Sequence, residues 1–186
     1  RRSELAIRQA EVALRMGQDD AAVLLLLAWL SDHPGDARVR RFLASTYLEM
    51  GQMDKAIAEY QNVLAANASD VTALNNLALI YFRAGDRQAR NMAERAYRVA
   101  PGNPAVLDTY GWILLQQGEA ERGRKLLREA SRQLPDEAEV SYHFAVALLK
   151  SGDRDGARQI LEALVTGGRS FEGSEQARQL LEEITG

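Results

Sequence analysis

The chain contains no cysteine among its 186 residues, which excludes disulfides, thiol catalysis and thiolate metal sites. Histidine is nearly as scarce. His33 and His143 are far apart in the sequence, and neither belongs to the His-x-x-x-His pattern that binds zinc on a helix. A glycine-rich phosphate loop is also missing, because the glycines are spread along the chain. We therefore predict that the protein is not an enzyme and needs neither a cofactor nor a metal.

The chain also lacks an excess of positive charge and a long apolar run. Its formal net charge is −3, which argues against a nucleic-acid partner held through phosphates. The longest apolar stretch, 21–30, is well short of the roughly 20 residues that a membrane-spanning helix requires. Arg1 opens the sequence without an initiator methionine or a signal-peptide pattern, as expected for an excised fragment or a processed product. These features do not identify the cellular compartment of the protein.

What the chain does contain is an internal repeat marked by glycines. Successive members are 34, 34, 33 and 34 residues apart. A fixed period near this length is typical of stacked helix–turn–helix units. We expect each glycine to adopt the left-handed conformation that ends a helix. The five glycines are Gly17, Gly51, Gly85, Gly118 and Gly152.

Small residues repeat with the same period on both sides of the glycines. They allow one helix backbone to approach the next, which a larger side chain would prevent. The earlier set lies seven residues before each glycine and comprises Ala10, Ala44, Ala78, Gly111 and Ala145. The later set follows each glycine by five residues, or by four in the third repeat. It comprises Ala22, Ala56, Ala89, Gly123 and Ala157.

The period predicts an all-α fold, a right-handed α-solenoid of helix pairs in one domain over 1–186. An amphipathic segment at about 173–185 is predicted to be a capping helix, because terminal repeats need a helix with a polar outer face. The third repeat is one residue short after Gly85, so we expect a tighter turn there. The predicted repeats are about 3–36, 37–70, 71–103, 104–137 and 138–169.

These units resemble tetratricopeptide repeats. The family pattern has a bulky residue, a Leu-small pair and an aromatic residue in the first helix, glycine in the turn, then alanine and proline. The first repeat departs from this pattern at Gln9 and Trp29. The resemblance implies a scaffold that binds a protein or peptide partner. The third repeat fits the pattern closely, at Leu74, Leu77, Ala78, Tyr81, Gly85, Ala96 and Pro101.

In this family the first helices line a concave groove, and the resemblance assigns groove positions in this chain. Phe82, Trp112 and Tyr142 would be aromatic anchors for a peptide; the alternative is that Phe82 and Trp112 pack between repeats. Some members of this family bind the C-terminal carboxylate of a peptide through two asparagines and basic side chains. That set is incomplete in this chain, so Asn76 is expected to bond to backbone instead. The predicted groove residues are Arg38, Arg41, Ser45, Leu48, Thr72, Asn75, Leu79, Phe82, Asp108, Trp112, Leu115, Glu139, Tyr142, Val146 and Leu149.

A narrower resemblance covers 74–78, 93–97 and 101–112. These segments are similar to the C-terminal end of the tetratricopeptide-repeat lipoproteins of the PEP-CTERM/exosortase system, which accompany exopolysaccharide production. The resemblance implies a location in the bacterial envelope. A structural spacer or a self-assembling scaffold is the alternative function. Leu25 and Leu27 lie within the apolar stretch 21–30, which would form a homo-oligomer contact, be covered by repeats upstream of the given sequence, or be buried within the first repeat and its neighbour.

Overall fold

A computed structural model describes residues 2–168 and 170–186, and within these ranges the chain forms eleven α-helices and no strand. It divides into two compact units, Arg1–Asp86 with α1 to α5 and Arg87–Gly186 with α6 to α11. The helices are α1 Arg2–Arg15, α2 Asp19–Asp32, α3 Ala37–Glu49, α4 Met53–Ala66, α5 Val71–Arg83, α6 Gln88–Val99, α7 Pro104–Gln116, α8 Ala120–Gln133, α9 Ala138–Lys150, α10 Arg154–Thr166 and α11 Ser174–Thr185.

The helix bounds confirm the all-α prediction, since each predicted repeat holds two helices. The expectation of a tighter turn in the third repeat is wrong. The segment between α5 and α6, residues 84–87, is four residues long, whereas residues 50–52 between α3 and α4 number three. The deletion instead shortens the second helix, because α6 has 12 residues and α4 has 14. The turn itself cannot lose a residue without losing its hydrogen bonds.

Each predicted turn glycine has a left-handed backbone, with φ between +68° and +89°. Two hydrogen bonds close the turn after α3. The N–H of Gly51 donates to the carbonyl of Leu48 at 2.9 Å, and the N–H of Gln52 donates to the carbonyl of Tyr47 at 2.8 Å. This is the Schellman pattern, which satisfies carbonyls at the helix end. The same pair of bonds closes the turns at Gly17, Gly85, Gly118 and Gly152.

The core of the first unit is built where small residues bring paired helices together. Ala44 of α3 and Ala56 of α4 are both completely buried. Larger side chains fill the space beside them, among them Leu43 and Tyr60, which are also completely buried. α3 begins at an N-cap, Asp36, whose side chain accepts a hydrogen bond from the N–H of Val39. The cap fixes where the helix starts and hence which residues point inward.

In the second unit the helices α7 and α8 meet at two glycines. A Cβ atom on Gly123 would lie 2.7 Å from the carbonyl oxygen of Gly111, closer than real Cβ contacts allow. The predicted capping helix also packs as expected, with Ala177 in a core cluster with Ala145 and Leu161. Its apolar positions Leu180, Leu181 and Ile184 pack against that cluster.

A cavity of about 530 Å³ lies beside Ser141, lined by residues that include Ile160 and Leu164. The equivalent residues of the third and fourth repeats, Leu74 and Leu107, are buried and fill this position. In the second repeat the equivalent residue is an arginine, and its cavity is about 240 Å³. The small serine therefore leaves an underpacked site in the fifth repeat.

We expect Gly118→Ala to destabilise the protein by about 1–2 kcal/mol, because an L-residue is strained in the left-handed conformation. The added Cβ would contact no atom within 4 Å, so only the backbone conformation is tested. Gly102→Ala is the matched control, since its Cβ also meets nothing within 4 Å and its φ is outside the left-handed range. Urea unfolding followed by circular dichroism measures both. Equal midpoints for the two variants would contradict the prediction.

We expect Ser141→Leu to stabilise the protein by about 0.5–2 kcal/mol, the usual gain from filling a cavity. Ser141→Ala separates this effect from helix propensity, because alanine also favours a helix but leaves the cavity empty. Thermal unfolding of the two variants and the parent gives the comparison. A leucine variant no more stable than the alanine variant would show that the cavity does not accept the side chain.

Candidate partner-binding site

A cavity of about 340 Å³ opens on the first helices of the first unit. Four of the predicted groove residues line it, two of them basic. α1 contributes Ile7 and Glu11, and Phe42 of α3 adds an apolar wall. The residues that follow from the groove prediction are Arg38, Arg41, Ser45 and Thr72.

Two further residues that line this cavity, Tyr60 of α4 and Asn76 of α5, are joined by a hydrogen bond. The side-chain amide of Asn76 donates to the hydroxyl oxygen of Tyr60 at 2.6 Å. Asn76 therefore bonds to a side chain, and the expectation that it bonds to backbone is wrong. Burial raises the pKa of Tyr60 above its usual value, and the hydrogen bonds from Asn76 and Ser45 offset only part of that rise.

The two arginines of the cavity differ in their surroundings. Arg41 forms an ion pair with Asp70, and the other carboxylate oxygen of Asp70 accepts the N–H of Ala73 at 3.0 Å as the N-cap of α5. Arg41 is thereby tied to the start of the next first helix. Arg38 is exposed at the rim of the cavity. An incoming acidic group could pair with Arg38 directly, whereas pairing with Arg41 would have to compete with Asp70.

A second cluster joins α7 and α9 in the second unit. Nδ1 of His143 lies 2.9 Å from the Asp108 carboxylate. An ionised carboxylate only accepts hydrogen bonds, so Nδ1 carries the proton that His143 donates. The indole of Trp112 stacks on the imidazole, with ring centroids 4.1 Å apart and planes at 18°. Tyr142 lies next to Trp112, and its ring also contacts Phe171, with centroids 5.8 Å apart.

Most predicted groove residues are neither fully buried nor fully exposed. This holds for Arg41, Ser45, Leu48, Leu79, Phe82, Asp108, Trp112, Tyr142, Val146 and Leu149, whereas Arg38, Thr72 and Glu139 are exposed.

Two predicted groove residues are buried. Leu115 is 1% exposed and packs with Leu127 and Ala147, so its assignment as a groove residue is wrong. The close approach of α8 to α7 at Gly123, whose Cβ position lies 2.9 Å from the backbone nitrogen of Leu115, encloses it. Asn75 is also buried and offers little surface to a partner.

Leu25 and Leu27 are each 40% exposed on α2 and so are accessible for the predicted self-association, which stays a prediction. Among residues 2–168 and 170–186, no group of three histidine or acidic side chains is placed to hold a metal ion. No described helix has both the length and the apolar character needed to cross a membrane.

The sequence predicted neither the pairing of His143 with Asp108 nor the role of Tyr60. Residues 108 and 143 are 35 apart, one repeat plus one residue, which places them on successive first helices. That spacing is the signal that could have found the pair. Tyr60 belongs to a second helix and lines the cavity together with Asn76, which donates a hydrogen bond to its hydroxyl oxygen.

Sequence profiles of one family match most of the chain. The profile described as tetratricopeptide repeat matches residues 87–141 and 114–167. A further profile, described as TPR repeat, matches residues 44–85.

Curated relatives are considerably longer than this chain. A TPR repeat-containing protein of Pseudomonas aeruginosa is 29% identical over 149 residues, covering 76% of this chain and 24% of the relative. Cellulose synthase operon protein C of Xanthomonas axonopodis pv. citri is 28% identical over 180 residues, covering 89% of this chain and 12% of the relative. The chain thus spans a quarter or less of the length of these relatives.

The fold also matches a solved structure. A TPR protein of Thermus thermophilus superposes with a TM-score of 0.71 over 98% of each chain, at 21% sequence identity. At this identity the likeness shows a shared α-solenoid fold.

We expect Tyr60→Phe to weaken the dependence of stability on alkaline pH. Below about pH 10 the phenol is neutral in both states; above it the unfolded chain loses the proton that the folded chain retains, so stability falls as pH rises. At neutral pH the variant should cost about 1 kcal/mol, because Asn76 loses its acceptor. Urea midpoints at neutral and alkaline pH test this. The other tyrosines are unchanged, so identical pH profiles for parent and variant would contradict it.

Proposed function

Because the chain belongs to the tetratricopeptide repeat family, we propose that it is a protein-interaction scaffold that binds a peptide segment of its partner in the groove formed by first helices. The observation that carries this proposal is the cavity of the first unit, where Arg38, Arg41, Ser45 and Thr72 converge from two first helices. Its volume of about 340 Å³ lies within the range of ligand pockets.

The exposed charge of Arg38 favours a peptide with an acidic side chain. Arg38 lies at the rim of the cavity, whereas Arg41 is already paired with Asp70 and Glu11 lines the wall on the α1 side. Thr72 is exposed and can donate a hydrogen bond to a carboxylate or backbone oxygen. Ile7 and Phe42 supply apolar surface for a neighbouring side chain of the peptide. The peptide would thus carry an acidic residue beside an apolar one.

The aromatic cluster of the second unit is a further contact surface in this proposal. Trp112 and Tyr142 are half-buried, and their rings are held by His143 and Phe171. Rings that are already fixed lose little conformational entropy on binding. Trp112 also packs against the core beside Leu115, so the packing role that the sequence left open accompanies a binding role.

The partner would belong to an envelope assembly for polysaccharide export. The support is the similarity to cellulose synthase operon protein C, together with the sequence resemblance at 101–112. Deleting the gene in its host should lower the amount of secreted polysaccharide. A gene encoding Arg38→Glu should fail to restore it. Unchanged secretion after the deletion would contradict the envelope role, while peptide binding would be judged by the experiment below.

The peptide proposal is tested with a phage-displayed random peptide library selected on the immobilised chain. Enriched peptides should contain an acidic residue, and fluorescence anisotropy should report binding that weakens with salt. Arg38→Glu should weaken that binding by about tenfold or more, because it replaces attraction by repulsion. Arg98→Glu is the matched control, since Arg98 is an exposed arginine on α6 outside the cavity.

Two outcomes would contradict the peptide proposal. One is a selection that enriches no peptide above an unrelated helical protein. The other is equal affinity of the parent and the Arg38→Glu variant for the enriched peptides. A circular dichroism melt of each variant shows whether the fold is retained. Because Arg38 is exposed, we expect the melting temperature to be unchanged.

A further inference from the structure

His143 of α9 is a buried histidine that uses only one of its two ring nitrogens. The residue is 7% exposed, and its Nδ1 donates a hydrogen bond to the Asp108 carboxylate. Its Nε2 makes no hydrogen bond within the part of the chain that the structure describes, and protein atoms do not enclose it completely. Because Nδ1 carries the proton, Nε2 is an acceptor whose lone pair is directed away from Asp108. A donor group of a ligand can satisfy this nitrogen.

The charges on the first helices around His143 are mainly acidic. Asp108 is the charged residue of α7. Glu139 lies four residues before His143 on α9, which places it one turn away on the same face of the helix, and it is exposed. The lysine of α9, Lys150, lies in the last turn, about three turns from Glu139. A cation that approaches His143 would therefore meet two carboxylates, with the lysine of the same helix well removed.

Two aromatic rings beside His143 favour a planar cation. Trp112 stacks on the imidazole, and the ring of Tyr142 lies 6.2 Å from that of Trp112, measured between centroids. Both residues are half-buried, so part of each side chain remains accessible to a ligand. A guanidinium group stacks on aromatic rings and is attracted by their π electrons. It also carries several N–H donors, so one arginine can donate to an imidazole nitrogen and to a carboxylate together.

We propose that the surface formed by Asp108, Trp112, Glu139, Tyr142 and His143 binds an arginine side chain of the partner peptide, and we call this surface the arginine site. The guanidinium donates to Nε2 of His143, pairs with Glu139 and packs against the aromatic rings. Asp108 is a positioning residue, because its hydrogen bond keeps the proton on Nδ1 of His143 and leaves Nε2 as an acceptor. The inference rests on the proposed function, since it names a side chain that the bound peptide supplies.

The cavity of the first unit offers different chemistry. Its exposed charge is Arg38, which would repel a guanidinium and attract a carboxylate. α3 carries two further arginines, Arg40 and Arg41, whereas α7 and α9 carry none. The two units therefore select different classes of side chain, and a probe that contains only arginine reports on the second unit.

The two tryptophans of the chain allow a direct test with a small probe. Nα-acetylarginine amide is added to the isotope-labelled chain while the indole N–H signals of Trp29 and Trp112 are followed by NMR. The Trp112 signal should shift until the site is saturated, whereas the signal of Trp29, on α2, should not. Nα-acetylcitrulline amide is the matched control, because it has a similar shape without the charge. We expect its affinity to be about fivefold lower or less.

The Glu139→Gln variant tests the carboxylate of the site. It should lower the affinity for the arginine probe by about threefold or more, because it removes an exposed negative charge. Glu139 is exposed, so the variant should keep the melting temperature of the parent. Glu183→Gln is the matched control, since Glu183 is also an exposed glutamate and lies on α11, outside the arginine site. This control should bind the probe like the parent.

The imidazole nitrogens give a readout that needs no variant, because the chain has only two histidines. At mildly alkaline pH the Nε2 signal of His143 should be that of a nitrogen without a proton. It should shift when the arginine probe is added, while the signals of His33 should stay in place. A structural role of the Asp108 pair alone would leave Nε2 unaffected by the probe.

Four results would each overturn the arginine site. These are a Trp112 signal that does not move, equal affinity for the arginine and citrulline probes, a proton on Nε2 of His143, and an affinity of Glu139→Gln no lower than that of Glu183→Gln. The peptide selection is scored separately. Peptides enriched on a chain that does not bind the arginine probe would overturn this inference and leave the proposed function standing. Binding of the arginine probe without any enriched peptide would contradict the proposed function instead.

Discussion

The rest of the structure depends on how closely the two helices of a repeat approach each other. That distance is set where side chains are smallest. Ala44 and Ala56 are completely buried on the paired helices α3 and α4 of the first unit. Gly111 and Gly123 meet in the second unit, where even one added carbon would lie 2.7 Å from a carbonyl oxygen. Close backbones let the larger side chains beside them interdigitate at the density of a protein interior. Replacing one small residue would therefore disturb many contacts at once.

Tight pairing also determines where the protein can have function. When each second helix is held firmly against its partner, the first helices keep fixed positions and can present side chains to a ligand without first becoming ordered. The residues around the first-unit cavity come from different helices and are far apart in the sequence, as with Arg38 and Thr72. Such a site has no local sequence signature. It exists only because the repeat length returns equivalent positions to the same side.

The features that the sequence predicts well are those imposed by the backbone. A left-handed turn requires glycine and a close approach requires a small residue, so both recur with the period and reveal the fold. What depends on particular side chains is less predictable. Leu115 fits a groove position by spacing, yet the glycine contact brings α8 over it and buries it. His143 looks isolated in the sequence because its partner Asp108 is one repeat away. Ser141 leaves a cavity that only the packing of its neighbours reveals.

The glycine turns have a consequence for how such chains grow. Each turn satisfies its backbone hydrogen bonds among residues that are close along the chain, such as Tyr47 and Gln52. The turn therefore forms without hydrogen bonds to residues that are distant in the sequence. A stretch of DNA encoding one helix pair can therefore be copied or removed in frame, and the new joint will still form. Families that gain or lose units in this way can change the reach of their binding surface between related genomes while each hairpin keeps its own internal geometry.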